Sequence, residues 1–277
     1  MTKTIYYLIQ LSRPSNIFIT FCTIFVAASI TGTIQPVKNV ILAALSASLI
    51  AVGANTINDY YDIEIDRINK PHRILAANKL SLEVALIYFI LVYLFAWVIS
   101  LAINFKMFLI AFTIGILLYL YSFRLKRTII WGNVTVSFAT SMAFIYGGLA
   151  VNRFSETLFP ASFAFLFHFG REIIKDMQDV KGDHGKGAIT FAVKYGTSAS
   201  LRLTLITFIV LIFLTIIPYV LKIYNIIYMI IVIIGIYPVL IYVLYVSWKK
   251  PEVKNLGKMS NILKIDMIIG LLAIYLG

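Results

Sequence analysis

Nine long apolar runs leave this chain little choice of fold. They lie at 15–34, 38–58, 81–103, 106–122, 131–151, 157–174, 201–221, 224–247 and 261–276. A helical run of about 20 apolar residues matches the hydrocarbon thickness of a bilayer. Backbone polar groups in lipid must be satisfied internally, so only helices or closed barrels cross. Runs this long and uniformly apolar are not barrel strands. The expectation is an all-α integral membrane protein with nine transmembrane helices. Composition agrees: 61% of residues are hydrophobic and 13% charged, where a soluble domain carries about 25% charged residues. Residues 1–277 read as one polytopic domain, with no room for a soluble one.

The basic residues set an expected orientation. In the nine-span reading, 20 of the 24 Lys and Arg residues fall on one side, and only Lys38, Lys106, Arg153 and Lys222 on the other. The positive-inside rule then predicts a cytoplasmic amino terminus and an outer carboxyl terminus in the cell membrane. Lys3 and Arg13 before an apolar run resemble a signal peptide's start, but a chain of many spans uses its first span as the insertion signal. A net charge of +12 distributed this way marks topology and not nucleic-acid binding. Cys22 is the single cysteine, so no disulfide framework or cysteine metal site is expected. No protein partner is predicted.

Against this apolar background two acidic stretches stand out. Asn55, Asp59, Asp62 and Asp66 are spaced i, i+4, i+7, i+11, which places them on one helical face. Glu172, Asp176, Asp179 and Asp183 repeat the spacing. Glu64 falls off the first face and reads as a solvated charge. Grouped carboxylates repel one another unless something positive sits among them. A hard divalent cation meets that need, and Mg²⁺ takes carboxylate oxygens while keeping positions open for water and phosphate. The two faces are expected to be halves of one site, each holding Mg²⁺, with a diphosphate gripped between two ions. Both stretches are expected on the cytoplasmic side.

Basic residues lie nearby: Arg67, Lys70 and Arg73 after the first face, Arg171 and Lys175 within the second, and Arg124, Lys126 and Arg127 in the loop after the fourth span. They either neutralise charge on a departing diphosphate or serve as topology signals and lipid head-group contacts. His168, one turn before Glu172, would want more histidines for a transition-metal site than the three the chain has. The stretch Gly182–Gly187 lacks the Walker spacing and reads as a flexible loop.

These residues resemble a known family. Asn58-Asp59-Tyr60-Tyr61-Asp62-Ile63-Glu64-Ile65-Asp66 is similar to the NDxxDxxxD motif of the UbiA superfamily of intramembrane prenyltransferases. Asp179 to Asp183 resembles its second motif, DxxxD, with Asp176 ahead. Arg13-Pro14-Ser15-Asn16 looks like its RPxN opening, and Thr190 and Gly196 fit its TxxVxxxxG-like tail. The family's YxxxK appears one residue longer, from Tyr121 to Lys126, with Arg124 between. The resemblance implies nine helices in a ring around a central cavity with a polar cytoplasmic cap. It implies that Asn58, Asp59, Asp62, Asp66, Asp176, Asp179 and Asp183 bind Mg²⁺ and diphosphate, with Asn16, Tyr121 and Lys126 assisting. The implied reaction ionises an allylic prenyl diphosphate, and an acceptor captures the carbocation in an apolar chamber.

INKPHRILAANKLS after the first motif looks most like the archaeal branch. That branch transfers a geranylgeranyl group from geranylgeranyl diphosphate to geranylgeranylglyceryl phosphate, a lipid-phosphate acceptor. Arg13, His72 and Arg73 are candidates to hold the acceptor phosphate. Rivals are prenylation of an aromatic quinone precursor or of haem, and, from another class, a cation-coupled transporter. A transporter is expected to place its acids near the bilayer midplane on broken helices. A CDP-alcohol phosphotransferase would carry DGxxAR, which is absent from the sequence.

Overall fold

A computed structural model describes residues 2–185 and 187–277. Met1 and Lys186, counted above in the insertion and charge readings, lie outside the described residues. Every regular element among them is helical. In order these are α1 Thr2–Ser12, α2 Pro14–Ser29, α3 Val37–Tyr61, α4 Ile63–Asn69, α5 Leu82–Leu101, α6 Phe105–Phe123, α7 Trp131–Ala150, α8 Leu158–Gly185, α9 Phe191–Val220, α10 Ile226–Ile231, α11 Tyr237–Lys249 and α12 Val253–Leu276. A π-helical stretch, Val232–Ile236, joins α10 to α11. A helix covers each expected apolar segment.

Among the described residues, six helices are long and apolar enough to cross a membrane: α3, α5, α6, α9, the continuous Ile226–Lys249 and α12. A seventh span results if α1 and α2, bent by 52°, count as one. The remaining two long helices are more polar. α7 carries Asn133, Thr135, Ser137, Thr140 and Ser141, and α8 carries the second acidic stretch.

Local chemistry sets the ends. Ser81, Asn104 and Thr190 cap α5, α6 and α9 by accepting from backbone N–H groups three residues on. Pro14 occupies the first turn of α2, where no N–H is needed. Within spans, hydroxyls bond back to their own helix: Thr23 to Ile19 O at 2.8 Å, Thr56 to Val52 O at 2.9 Å and Thr204 to Ser200 O at 2.9 Å.

The chain forms two compact units. The first runs to Lys126 and takes in Ala143–Thr157; the second is Arg127–Met142 with Leu158–Gly277. In the first, α3 packs against α2, α5 and α6. The Tyr93 ring lies where a Cβ on Gly53 would fall, so only glycine lets α3 and α5 approach this closely. Ser46 Oγ donates to Ala96 O at 2.9 Å across the same pair. In the second, α8 packs chiefly on α9 and α12, with Gly170 receiving Phe208.

Among the described residues, two buried side chains in the second unit, Ser247 and Asp266, break the pattern of satisfied polar atoms. Asp266, in the middle of α12, is 1% exposed, and neither carboxylate oxygen has a hydrogen-bond partner. Burying a polar group unpaired costs about 1–3 kcal/mol. Asp266→Leu is therefore expected to raise the thermal midpoint of the detergent-purified protein. A lowered midpoint would mean that the carboxylate is satisfied by something the helix packing does not reveal.

Candidate active site

The first acidic face is built across a helix break. α3 ends at Tyr61, Asp62 has φ −93° and ψ 2°, and α4 starts at Ile63. The expected single continuous helix is thus interrupted, yet the hydrogen-bond ladder persists through it. Asp62 N donates to Asn58 O at 3.0 Å and Asp66 N to Asp62 O at 2.7 Å. The aspartates stay together: Asp59, Asp62 and Asp66 are 5%, 2% and 3% exposed.

Cations from three chain segments meet them. Arg73 Nη1 donates to Asp59 Oδ1 at 3.1 Å and to Asp66 Oδ2 at 2.7 Å. Arg13 pairs with Asp59, and Lys126 with Asp62. Asn58 Nδ2 donates to Asp62 Oδ2 at 2.8 Å. The expectation that this face lacks any neutralising partner but metal is therefore corrected: buried carboxylates draw in whatever cations the fold can supply. Burial still dominates at Asp66, whose carboxyl lies above the usual carboxylate range although Arg73 pulls it down.

Arg13 reaches Asp59 from the bend between α1 and α2, with its backbone left-handed at φ 56°. Asn55 Nδ2 ties α3 to the same bend by donating to Ser12 O at 3.0 Å. Asn16 is half-buried one turn into α2. Lys126 sits in the short turn Leu125–Arg127 after α6. That turn absorbs the extra residue after Tyr121, itself half-buried, and Arg124 is left exposed. Tyr119 lies two residues before Tyr121, its hydroxyl 3.0 Å from that of Tyr61. Arg67 is turned to Glu64 at 2.6 Å on the surface and not to the aspartates. Glu64, expected as a solvated charge off the first face, is exposed and pairs with Arg67 at the surface.

The second face lies on one uninterrupted helix, which runs through the stretch expected as a flexible loop as far as Gly185. Glu172 and Asp183 are buried, Asp176 and Asp179 half-buried. Glu172 accepts from Lys175 at 2.7 and 2.8 Å and from Arg171 at 3.2 Å. Lys175, expected to bind substrate, is thus occupied by Glu172. Asp176 Oδ2 accepts from Asn133 Nδ2 at 2.8 Å. Asn133 lacked any sequence signal, being 43 residues from its partner in a helix without charges.

The donors are all oxygens of Asp, Glu and Asn, which suits a hard cation such as Mg²⁺. Among the described residues no three His, Cys, Asp or Glu side chains are gathered as a metal ion requires. Arg13 and Lys126 hold oxygens that a bound ion would take. The residues fit Mg²⁺ in kind, and loading asks those two side chains to move aside.

Apolar helices long enough to span a bilayer, with ion-paired aspartates buried beside them, define a multi-pass membrane protein with a charged site. The chain belongs to the UbiA prenyltransferase family, whose model matches residues 17–265. It is 32% identical over 269 residues to the digeranylgeranylglyceryl phosphate synthase of Methanosphaera stadtmanae, covering 97% of this chain and 98% of that one. A solved structure concerning digeranylgeranylglyceryl phosphate synthase in membranes superposes with TM-score 0.78 at 31% identity, covering 100% of this chain and 99% of the other. A UbiA homologue from Archaeoglobus fulgidus bound to GPP and Mg²⁺ shares the fold at TM-score 0.70 and 20% identity, covering 97% and 99%. The family decides for an enzyme, a prenyltransferase, over a transporter.

Proposed function

We propose that this enzyme transfers a geranylgeranyl group from geranylgeranyl diphosphate to geranylgeranylglyceryl phosphate, giving digeranylgeranylglyceryl phosphate for archaeal ether lipids. Full-length similarity to digeranylgeranylglyceryl phosphate synthases at about one-third identity supports the substrate pair. The structural observation that carries it is the cation set around Asp59, Asp62 and Asp66. In the reaction the allylic C–O bond of the donor breaks, an ether C–O bond forms to the acceptor hydroxyl, and the hydroxyl proton is released. Mg²⁺, when bound at the acidic faces, would supply Lewis-acid pull on the diphosphate and offset its charge, with one ion for each face. Asp59, Asp62, Asp66, Asp176, Asp179 and Asp183 would hold those ions, with Asn58 orienting Asp62. Lys126, released from Asp62, would offset the leaving diphosphate, with Tyr121 beside it. Arg13 and Arg73 would turn to the acceptor phosphate, a charge-assisted contact contributing about 1.5–3 kcal/mol each. Arg67 and Lys175, held by Glu64 and Glu172, would take smaller parts, as would Asn16, Asn55 and Arg124.

The fold reading is part of the same proposal. Nine helices, α7 and α8 included, would ring a cavity under a polar cytoplasmic cap, both units working as one domain. The amino terminus would face the cytoplasm and the carboxyl terminus the outside. Competition tests the substrate assignment. With labelled geranylgeranyl diphosphate and Mg²⁺, geranylgeranylglyceryl phosphate should be consumed well ahead of 4-hydroxybenzoate. Preference for the aromatic acid would leave a prenyltransferase of quinone precursors.

A further inference from the structure

The two acidic stretches are neutralised differently. Asp59, Asp62 and Asp66 each face Arg or Lys, and Glu172 faces Lys175 and Arg171. Asp176 instead meets a carboxamide, Asn133 Nδ2 at 2.8 Å. Asn133 is 5% exposed on the first turn of α7, and its backbone carbonyl accepts from Ser137 Oγ at 2.6 Å, one turn on. Burial and the bond to Asp176 leave the side chain little freedom to swing. An amide N–H orients a carboxylate as an ammonium does, but cancels none of its charge. A metal ligand needs both properties: a fixed direction for its free lone pairs and a full negative charge.

We propose that Asn133 is a positioning residue for metal use, holding Asp176 Oδ2 so that the remaining lone pairs point to the ion. This rests on the reading of Asp176 as a Mg²⁺ ligand. Asn133 does not itself touch substrate. Its loss acts through the direction of Asp176, so it weakens metal binding before it weakens chemistry.

The test uses the full-length protein in nanodiscs with Asn133→Ala, Asn133→Asp and Asp176→Asn. Two quantities are read: the Mg²⁺ concentration for half-maximal turnover, and Mn²⁺ bound in the presence of a non-reactive prenyl thiodiphosphate, counted by electron paramagnetic resonance. Asn133→Ala is expected to raise the half-saturating Mg²⁺ about 10- to 100-fold, with turnover largely restored at saturating metal. Asn133→Asp, isosteric but without the donor and carrying a like charge, is expected to raise it at least as far. It reports on the idea even if the alanine variant does not fold. Mn²⁺ affinity should fall in parallel. A purely packing role would lower the thermal midpoint and maximal rate while leaving both metal readouts at wild-type values, and that result overturns the proposal if Asp176→Asn still weakens metal binding. If Asp176→Asn also leaves metal binding unchanged, the ligand reading of Asp176 falls, and the role of Asn133 with it.

Discussion

Asp62→Asn and Asp179→Asn are each expected to lower prenyl transfer by about 10²-fold or more, the scale on which one preorganised electrostatic group acts. The two changes probe the two acidic stretches by the same chemistry, removal of one charge at constant shape. Asp62 is 2% exposed and already receives Asn58 and Lys126, so its amide variant keeps a hydrogen-bonding side chain in place. Lys126 then loses the charge it faces, and a Mg²⁺ ion held there as proposed would lose a ligand. The companion measurement is turnover in excess chelator, expected to stop and to return with added Mg²⁺. Near-normal rates in both variants, or turnover that persists with chelator, would remove the metal from the reaction. Thermal midpoints close to wild type would show that lost rate reflects chemistry and not unfolding.

Arg73→Ala is expected to destabilise the protein by about 3–5 kcal/mol, the cost of breaking a buried pair by removing one member. Arg73 joins two segments of the first unit by bridging Asp59 and Asp66. Asp59 retains Arg13, whereas Asp66 is left buried without the guanidinium. The loss has a defined pH dependence. Asp66 already titrates above the usual carboxylate range, burial being the larger influence and Arg73 the opposing one. A folded-state value above the unfolded one means that protonation favours folding, so stability falls as pH rises from the unfolded value through the folded one. Without Arg73 the gap widens. The penalty should be full at neutral and alkaline pH and shrink as acid protonates Asp66. A thermal-midpoint difference that does not change between neutral pH and pH 4 would contradict this account. Arg73→Lys, which keeps the charge but not the planar guanidinium, should fall between.

The helices and the acidic stretches were legible because their signals are periodic and local. A run such as 81–103 can only be a buried helix in lipid, and α5 and its Ser81 cap follow. What was not legible depended on contacts far apart in sequence. Nothing in the spacing of Asn55 to Asp66 announces a break at Asp62, because the hydrogen bonds continue through it. The pairing of Arg13 with Asp59 spans 46 positions, and that of Lys126 with Asp62 spans 64. Arg67 and Arg73 both follow the first face in sequence, and only the fold shows Arg67 turned to Glu64. The helix α8 also runs past the apolar segment that announced it, since helical hydrogen bonding does not stop where hydrophobicity does.

At Arg13 two demands on one residue pull in opposite directions. Its left-handed backbone is a conformation that costs a residue with a Cβ about 1–2 kcal/mol and glycine almost nothing. Its side chain grips Asp59 beside Arg73. A search for sturdier variants that scores local geometry would replace it with glycine, relax the bend and surrender the guanidinium. Laboratory selection for heat resistance alone is thus expected to drift toward proteins that survive longer and work less, beginning at the position where the chain tolerates an awkward shape in order to place a charge.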